Sequence, residues 1–336
     1  MKNFTRRQSL GLLAGGASLP FAPRIARART SDIKIGIQFG LPYLGFIVAD
    51  AMDLFNKHAA DRGIGSTFSM TRISGPTAMT EGLLSKNLHI TAQGMLSLLI
   101  GYTKSKGIYD LGGISAYWKG TYTVYTNVPD VKSIADIKPE HKIAVPGPTS
   151  SQSLILRRAA MQIFGEDQAG RFDKQLVALP HPDAVAALTT GDTVQVYFAT
   201  SPYNEVLSTN DSVHAIGTSE EYNPPGMTNG VVAGLKEFVD DNPEAISVFL
   251  AAMDEANAFI PENIEETARI YFEAVPANMS DEAKIEVIRN NAHEYTTIPN
   301  GVMETARFTN QLGFLDEVPD RWQDIFFAPI NEGEGS

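Results

Sequence analysis

Short runs that alternate apolar and polar residues are separated, along the first hundred positions, by segments with helical periodicity. Residues 33–38 alternate and are rich in isoleucine, which predicts a strand, and residues 66–73 and 89–92 predict two more. A helical stripe begins at Leu44, and residues 77–84 suit a second helix. Because strands and helices take turns, the pattern predicts an open, mainly parallel α/β sheet.

A second series of the same kind begins near position 120. Residues 121–126, 142–146 and 194–198 are apolar or β-branched and predict strands. A helix is expected from about Ser153 to Phe164, where Gly165 ends it. The loops after these strands contain small, hydroxyl-bearing residues with glycine and proline. This series predicts a second α/β unit.

The chain returns to the first unit near residues 228–233, which predict one more strand, and the remaining C-terminal portion is mostly helical. Asn242-Pro243-Glu244 has a cap, a proline and an acid at a helix start, and Ser280 opens another helix. Residues 301–312 predict a third. At 336 residues the chain also exceeds what one hydrophobic core usually serves.

These patterns predict two lobes, lobe I and lobe II, and a leader. The expected divisions are a signal peptide at 1–28, the first part of lobe I at 29–119, lobe II at 120–227, the helical C-terminal part of lobe I at 228–330, and a frayed tail at 331–336.

The N-terminal segment has the features of an export signal. Arg6 and Arg7 precede a short apolar run at 10–22, and Ala26-Arg27-Ala28 offers a small-x-small cleavage pattern. The apolar run is too short to span a bilayer, and the paired arginines predict twin-arginine (Tat) export. We therefore expect the mature protein in the periplasm. The alternative is a disordered basic N-terminus, which leaves the apolar run unexplained.

Composition narrows the chemistry. The chain has no cysteine, which excludes disulfides, thiolate nucleophiles, cysteine-ligated metals and a lipoprotein anchor. Its formal charge of −12 makes nucleic acid an unfavourable partner. The six histidines show no metal-binding spacing. His181-Pro182-Asp183 suggests an acid–base pair, but helix entry at Asp183 is the better interpretation.

Three segments resemble one transport family. Val131–Lys138 followed by Lys142–Val145, the loop Gly147–Ser151, and the helix–strand segment Ala78–Ala92 are similar to periplasmic binding proteins of the nitrate/sulfonate/taurine class. Two departures stand out: Lys86–His89 replaces the family's usual acidic turn, and the loop after Val145 has prolines where the family often has glycine. The likeness spans residues 31–325.

The resemblance implies a type II periplasmic binding protein fold, with two Rossmann-like lobes joined by a two-strand hinge and a ligand cleft between them. It implies a monomeric solute-binding component of an ABC importer that docks transiently on a membrane permease. Neither catalysis nor a cofactor nor a metal is expected. An alternative is a sensor module that signals to a membrane kinase. A thiamine-pyrimidine synthase shares the fold but needs a cysteine-rich iron motif, so it is disfavoured.

Ligands of open α/β sheets bind at the carboxyl ends of strands, which selects the candidate cleft residues. The strongest group is the helix start Thr149–Gln152, whose amides and hydroxyls suit an anion. For Thr149–Gln152 the alternative role is simple helix capping, and for the other candidates it is packing in a turn or at the hinge. The candidates are Phe39, Tyr43, Ser74, Gly75, Pro76, Gln93, Met95, Trp118, Thr149, Ser150, Ser151, Gln152, Phe198, Ser201, Tyr203 and Asn229.

The expected ligand is a small organic anion, either a sulfonate or a carboxylate, and the aromatic candidates admit an aromatic body. A pyrimidine resembling a thiamine precursor is the alternative. Lys119 and Arg157 are the nearest cations in the sequence, and we expect both on a solvated face rather than against the ligand.

Overall fold

The computed structural model describes residues 31–191 and 193–336. The predicted signal peptide lies outside the described residues. Within them, two five-stranded mixed sheets are each flanked by helices, which confirms the predicted two-lobed α/β fold. No helix of the described ranges is both long and apolar enough to cross a membrane.

The sheet of lobe I has the strand order β2-β1-β3-β10-β4. Strand β1 runs parallel to β2 and β3, whereas β10 is antiparallel to β3 and β4. Its strands are β1 (Asp32–Ile37), β2 (Thr67–Arg72), β3 (Ile90–Gly94), β4 (Leu111–Trp118) and β10 (Gly230–Leu235). The antiparallel β10 is the strand on which the chain returns from lobe II.

The sheet of lobe II has the order β7-β6-β8-β5-β9. Strand β6 is parallel to β7 and β8, and β5 is antiparallel to β8 and β9. Its strands are β5 (Thr123–Thr126), β6 (Ile143–Val145), β7 (Leu176–Ala178), β8 (Val196–Ala199) and β9 (His214–Thr218). The chain passes between the sheets twice, from β4 to β5 and from β9 to β10.

Helices cover both faces of the sheets. They are α1 (Leu44–Ala51), α2 (Leu54–Asp61), α3 (Pro76–Leu84), α4 (Met95–Ser105), α5 (Ser151–Phe164), α6 (His181–Thr190), α7 (Tyr203–Ser208), α8 (Lys236–Asp241), α9 (Pro243–Glu262), α10 (Ile264–Ala274), α11 (Asp281–Asn291) and α12 (Val302–Gln311). In lobe I, helices α1, α2, α9 and α10 pack together, while α4 packs with α12. The core of lobe I therefore lies on both sides of its sheet.

Several local predictions need correction. The helix expected from Leu44 is two helices, because Asp53 adopts a left-handed conformation (φ 53°) that breaks it. Met95, expected in a turn, is the first residue of α4. Strand β4 (Leu111–Trp118) was not among the strands predicted from the sequence. The tail expected to fray instead forms backbone hydrogen bonds, from Ser336 to Pro299 and from Val302 to Ser336.

Candidate functional site

The two lobes meet along a seam of close contacts. Ser97 Oγ of lobe I donates to both the carbonyl and the hydroxyl of Thr149 in lobe II, at 3.0 Å each. Ser151 Oγ donates to the carbonyl of Asn229 at 2.6 Å. A Cβ added to Gly94 would lie 2.7 Å from Ser151 Oγ, so only glycine allows this approach. The structure is thus that of a closed cleft.

A cavity of about 30 Å³ lies on this seam. Most of its lining residues sit where strands of the two sheets end, as the rule for open α/β sheets requires. They are Gln38, Pro42, Tyr43, Pro76, Gly94, Tyr117 and Asn229 from lobe I, with Tyr122, Pro146, Ser150, Ser151, Gln152 and His181 from lobe II. At this volume the closed cavity holds little more than one or two water-sized groups, so a larger solute needs a wider opening between the lobes.

The N-terminus of α5 opens onto the cavity. Ser150 caps this helix by accepting from the Ser153 amide at 3.3 Å. The amides of Ser151 and Gln152 donate to no other atom of the described residues. Two free N–H groups at the positive end of a helix dipole form a favourable place for an anionic group.

Three tyrosines form one wall. The rings of Tyr43 and Tyr117 stack at a centroid distance of 5.3 Å, and Tyr122 meets Trp118 edge-on at 5.0 Å. Burial raises the pKa of all three tyrosines, so their hydroxyls stay protonated and can donate. This wall offers flat apolar surface together with neutral hydrogen-bond donors.

His181 is the first residue of α6 and lines the cavity with an imidazole whose tautomer can be assigned. Its Nδ1 lies 2.5 Å from the hydroxyl of the fully buried Tyr197, and that hydroxyl has no other partner among the described residues. Both groups are satisfied only if Tyr197 donates to Nδ1, which places the imidazole proton on Nε2. Burial lowers the pKa of His181 to about 4, so the ring is neutral near pH 7.

The lining contains no lysine, arginine, aspartate or glutamate. A partly buried carboxyl lies at the crossing between the lobes, where Glu294 Oε2 accepts from Trp118 Nε1 at 2.8 Å. Burial raises the pKa of Glu294 to about 7, against hydrogen bonds from Trp118 and Thr121 that lower it. The cavity therefore presents neutral, mostly donating groups. No set of three metal-ligating side chains occurs in the described ranges.

The structure brings six of the sequence candidates to the cavity lining: Tyr43, Pro76, Ser150, Ser151, Gln152 and Asn229. Gly75 and Thr149 lie beside it on the seam, since a Cβ at Gly75 would lie 2.8 Å from the Pro146 carbonyl. Ser201 also lies on the seam, where its carbonyl accepts from the Leu41 amide at 2.7 Å.

The other candidates lie away from the lining. Phe198 and Met95 are buried in the cores of lobe II and lobe I, and Gln93 is fully buried. Tyr203 stacks on the His181 ring at 5.6 Å, behind the cavity. The remaining three are Trp118, which is 2% exposed and packs in the hinge, the half-buried Phe39 and the exposed Ser74.

The two cations singled out in the sequence also lie outside the lining. Lys119 is exposed, as expected. Arg157 is buried, contrary to the expectation of a solvated face, because Asp173 and the Pro148 carbonyl hold its guanidinium.

Four polar side chains of the lining were not among the sequence candidates: Gln38, Tyr117, Tyr122 and His181. Gln38 directly follows β1, so the strand-end rule alone was sufficient to find it. His181 follows β7 by three residues, but its sequence context indicated only helix entry. Tyr122 lies in the crossing between the lobes, where no strand end marks it.

Solved structures with this fold include binding proteins for oxyanions. The periplasmic aliphatic sulphonate binding protein SsuA from Escherichia coli has a TM-score of 0.65 and 20% identity, covering 89% of this chain and 92% of its own. The alkanesulfonate-binding protein SsuA from Xanthomonas axonopodis, bound to MOPS, has a TM-score of 0.69 at 14% identity, covering 90% and 98%.

The periplasmic nitrate-binding protein NrtA from Synechocystis is similar as well, with a TM-score of 0.67 at 15% identity over 87% of this chain and 84% of its own. A search among curated proteins found no match. The model of the NMT1-like family matches residues 26–272, which is more than half of the sequence. The chain belongs to the NMT1-like family.

Proposed function

We propose that this protein is the solute-binding component of an ABC importer and that it captures a small organic anion, best a sulfonate or a carboxylate. The observation that carries the proposal is the N-terminus of α5, where Ser151 and Gln152 line an interlobe cavity and their amides make no hydrogen bond to other described residues. The sulfonate- and nitrate-binding proteins that share the fold support it.

Neutral groups are sufficient to hold an anion in a closed cleft. Fixed amide and hydroxyl dipoles compensate the charge without bringing a second full charge out of water, and they are already oriented before the ligand arrives. His181 Nε2–H and the amides of Gln38 and Gln152 are further donors at the lining. A trigonal or tetrahedral oxyanion group has several oxygen atoms that can accept hydrogen bonds from these donors.

Binding is coupled to delivery by hinge closure. Because the lining comes from both lobes, a ligand makes its full set of contacts only in the closed form and shifts the population toward it. A membrane permease then needs to read only the closed shape. No catalytic role is proposed, and the solved relatives SsuA and NrtA are binding proteins.

The remaining sequence expectations stand as parts of this proposal. They are a Tat signal at residues 1–28, a periplasmic, monomeric mature protein and lobe boundaries near residues 120 and 228. A pyrimidine ligand is the competing identity for the solute, and the tyrosine wall favours it. A sensor module is the competing role.

The proposal is tested by a thermal-shift screen of refolded, ligand-stripped protein against sulfonates, carboxylates and their neutral analogues. A ligand at about 100 times its Kd adds about 2.7 kcal/mol of stability. A rise in Tm with ethanesulfonate or a carboxylate, but not with the matching alcohol or amide, supports the anion site. A rise with pyrimidines alone refutes the anion and keeps the binding role. No shift with any class contradicts the proposed function.

A further inference from the structure

One face of α5 packs against lobe I outside the ligand cavity. Leu154 is buried against Leu96 of α4 and Phe308 of α12, and Met161 lies at the edge of the same cluster. Residues 151, 154, 158 and 161 are spaced at three or four positions, so they share one side of the helix. Helix α5 therefore joins the lobes along much of its length.

Two consecutive arginines extend this contact. The Arg158 guanidinium lies 4.6 Å from the centroid of the Phe308 ring, and its Nη1 donates to Glu304 of α12 at 2.7 Å. Its side chain is only 8% exposed, whereas that of Glu304 is 48% exposed. A cation that is enclosed by one lobe while its carboxylate and ring belong to the other ties the two together.

Arg157 connects the same surface to the ligand loop. Its guanidinium lies 4.9 Å from the Phe314 ring of lobe I, while its Nη1 donates to the Pro148 carbonyl at 3.0 Å. Pro148 directly precedes Thr149, which accepts from Ser97 across the seam. The loop that leads into the cavity is thus held from behind by a residue that does not line it.

We propose that this surface is a closure latch, formed by Leu154, Arg157 and Arg158 of lobe II with Glu304, Phe308 and Phe314 of lobe I. None of the six lines the cavity. The latch sets the closed fraction of the ligand-free protein. Because apparent affinity scales with the population of the binding-competent form, these residues act on affinity as positioning residues, without touching the ligand.

The test measures lobe closure directly, without ligand. The chain has no cysteine, so spin labels can be placed only where Asp61→Cys in lobe I and Asp211→Cys in lobe II provide thiols. Both positions are exposed and lie away from the latch. Pulsed electron paramagnetic resonance then measures the distance between the two spin labels, and the distance distribution gives the closed and open populations of the otherwise unchanged protein.

Glu304→Gln is the test variant, because it keeps the size of a half-exposed side chain and removes its charge. We expect its closed-to-open ratio to fall about fivefold or more, the scale of one lost charge-assisted hydrogen bond. Arg158→Gln should have a similar effect, and the double variant should be no more open than either single one. Glu266→Gln is the matched control, because it removes an Arg–Glu pair within lobe I.

Distance distributions that are the same for Glu304→Gln, Glu266→Gln and the parent would overturn the latch. So would a parent that shows no closed population before ligand is added. The outcome does not depend on which solute the cavity takes, so failure of the latch and failure of the proposed function are separate results.

Discussion

Glu294 provides the sharpest test of the electrostatics behind the cleft. Its carboxylate lies against the first crossing between the lobes, where it accepts from Trp118 Nε1, and its main-chain carbonyl accepts from the Lys119 amide at 2.9 Å. A Cβ on Gly120 would overlap it. Replacing Glu294 by glutamine keeps the size and an acceptor for Trp118, and the carboxamide resembles the protonated carboxyl in having a donor group and an acceptor but cannot ionise.

The magnitude follows from the pKa. Burial raises the pKa of Glu294 from 4.5 to about 7, so the folded protein binds this proton more tightly than the unfolded chain does. Its contribution to stability is complete below pH 4.5 and is lost as the pH rises through 7. A pKa difference of this size corresponds to at most about 3 kcal/mol. Glu294→Gln should therefore match the parent at pH 5 and exceed its stability at pH 8.

The assay is urea unfolding of parent and variant at pH 5, 6, 7 and 8, compared as differences so that other titrating groups cancel. Glu220→Gln is a comparison variant, because Glu220 is exposed and accepts from Thr121 in the same crossing, so it measures the cost of losing a polar contact there without losing the partly buried carboxyl. A Glu294→Gln difference that is equal at pH 5 and pH 8 would refute the reasoning.

Three further outcomes are expected. Gly94→Ala should weaken solute binding about tenfold, because its new methyl group meets Ser151 across the seam. Titration calorimetry checks this against Gly65→Ala, which has nothing within 4 Å, and equal affinities would contradict the closed seam. In the Glu294→Gln background, affinity for ethanesulfonate should vary less than about twofold from pH 6 to 8, because His181 stays neutral; a midpoint near 6.5 would contradict the buried tautomer. Trp118→Ala should cost about 3–5 kcal/mol in urea unfolding, since a buried indole and its hydrogen bond are lost; a cost below about 1 kcal/mol would show that the hinge repacks.

Local signals explain why several helix boundaries could be predicted from the sequence. Ser150 before α5 and Ser280 before α11 are side-chain caps, and their hydrogen bonds involve residues three positions away. Asn242-Pro243 marks the start of α9 by another local signal, the proline at the first helical position, because Asn242 makes no side-chain cap hydrogen bond there. Boundaries set by neighbours in the chain can be deduced without knowing the fold.

Long-range packing explains why other features could not be predicted. The Leu111–Trp118 strand contains Gly112 and Gly113, which carry weak strand propensity, and both are pressed against the C-terminal segment at Phe326 and Phe327. The same reasoning applies to Trp118. It was a candidate for the ligand cleft, but its indole donates instead to the distant Glu294 at the hinge.

The N-terminus of α5, which is part of the cavity lining, has a consequence for how such proteins diversify. The two free donors at the start of α5 are main-chain amides of Ser151 and Gln152, so substitution of the side chains there does not remove them. Gln38, Tyr43 and His181 around them are side-chain groups and are open to replacement. Under the proposed function, substitutions of these side chains change which solute body is accepted, while the two amides remain available to the charged group. Under that proposal, one scaffold can change its solute while it keeps an anion-binding helix start.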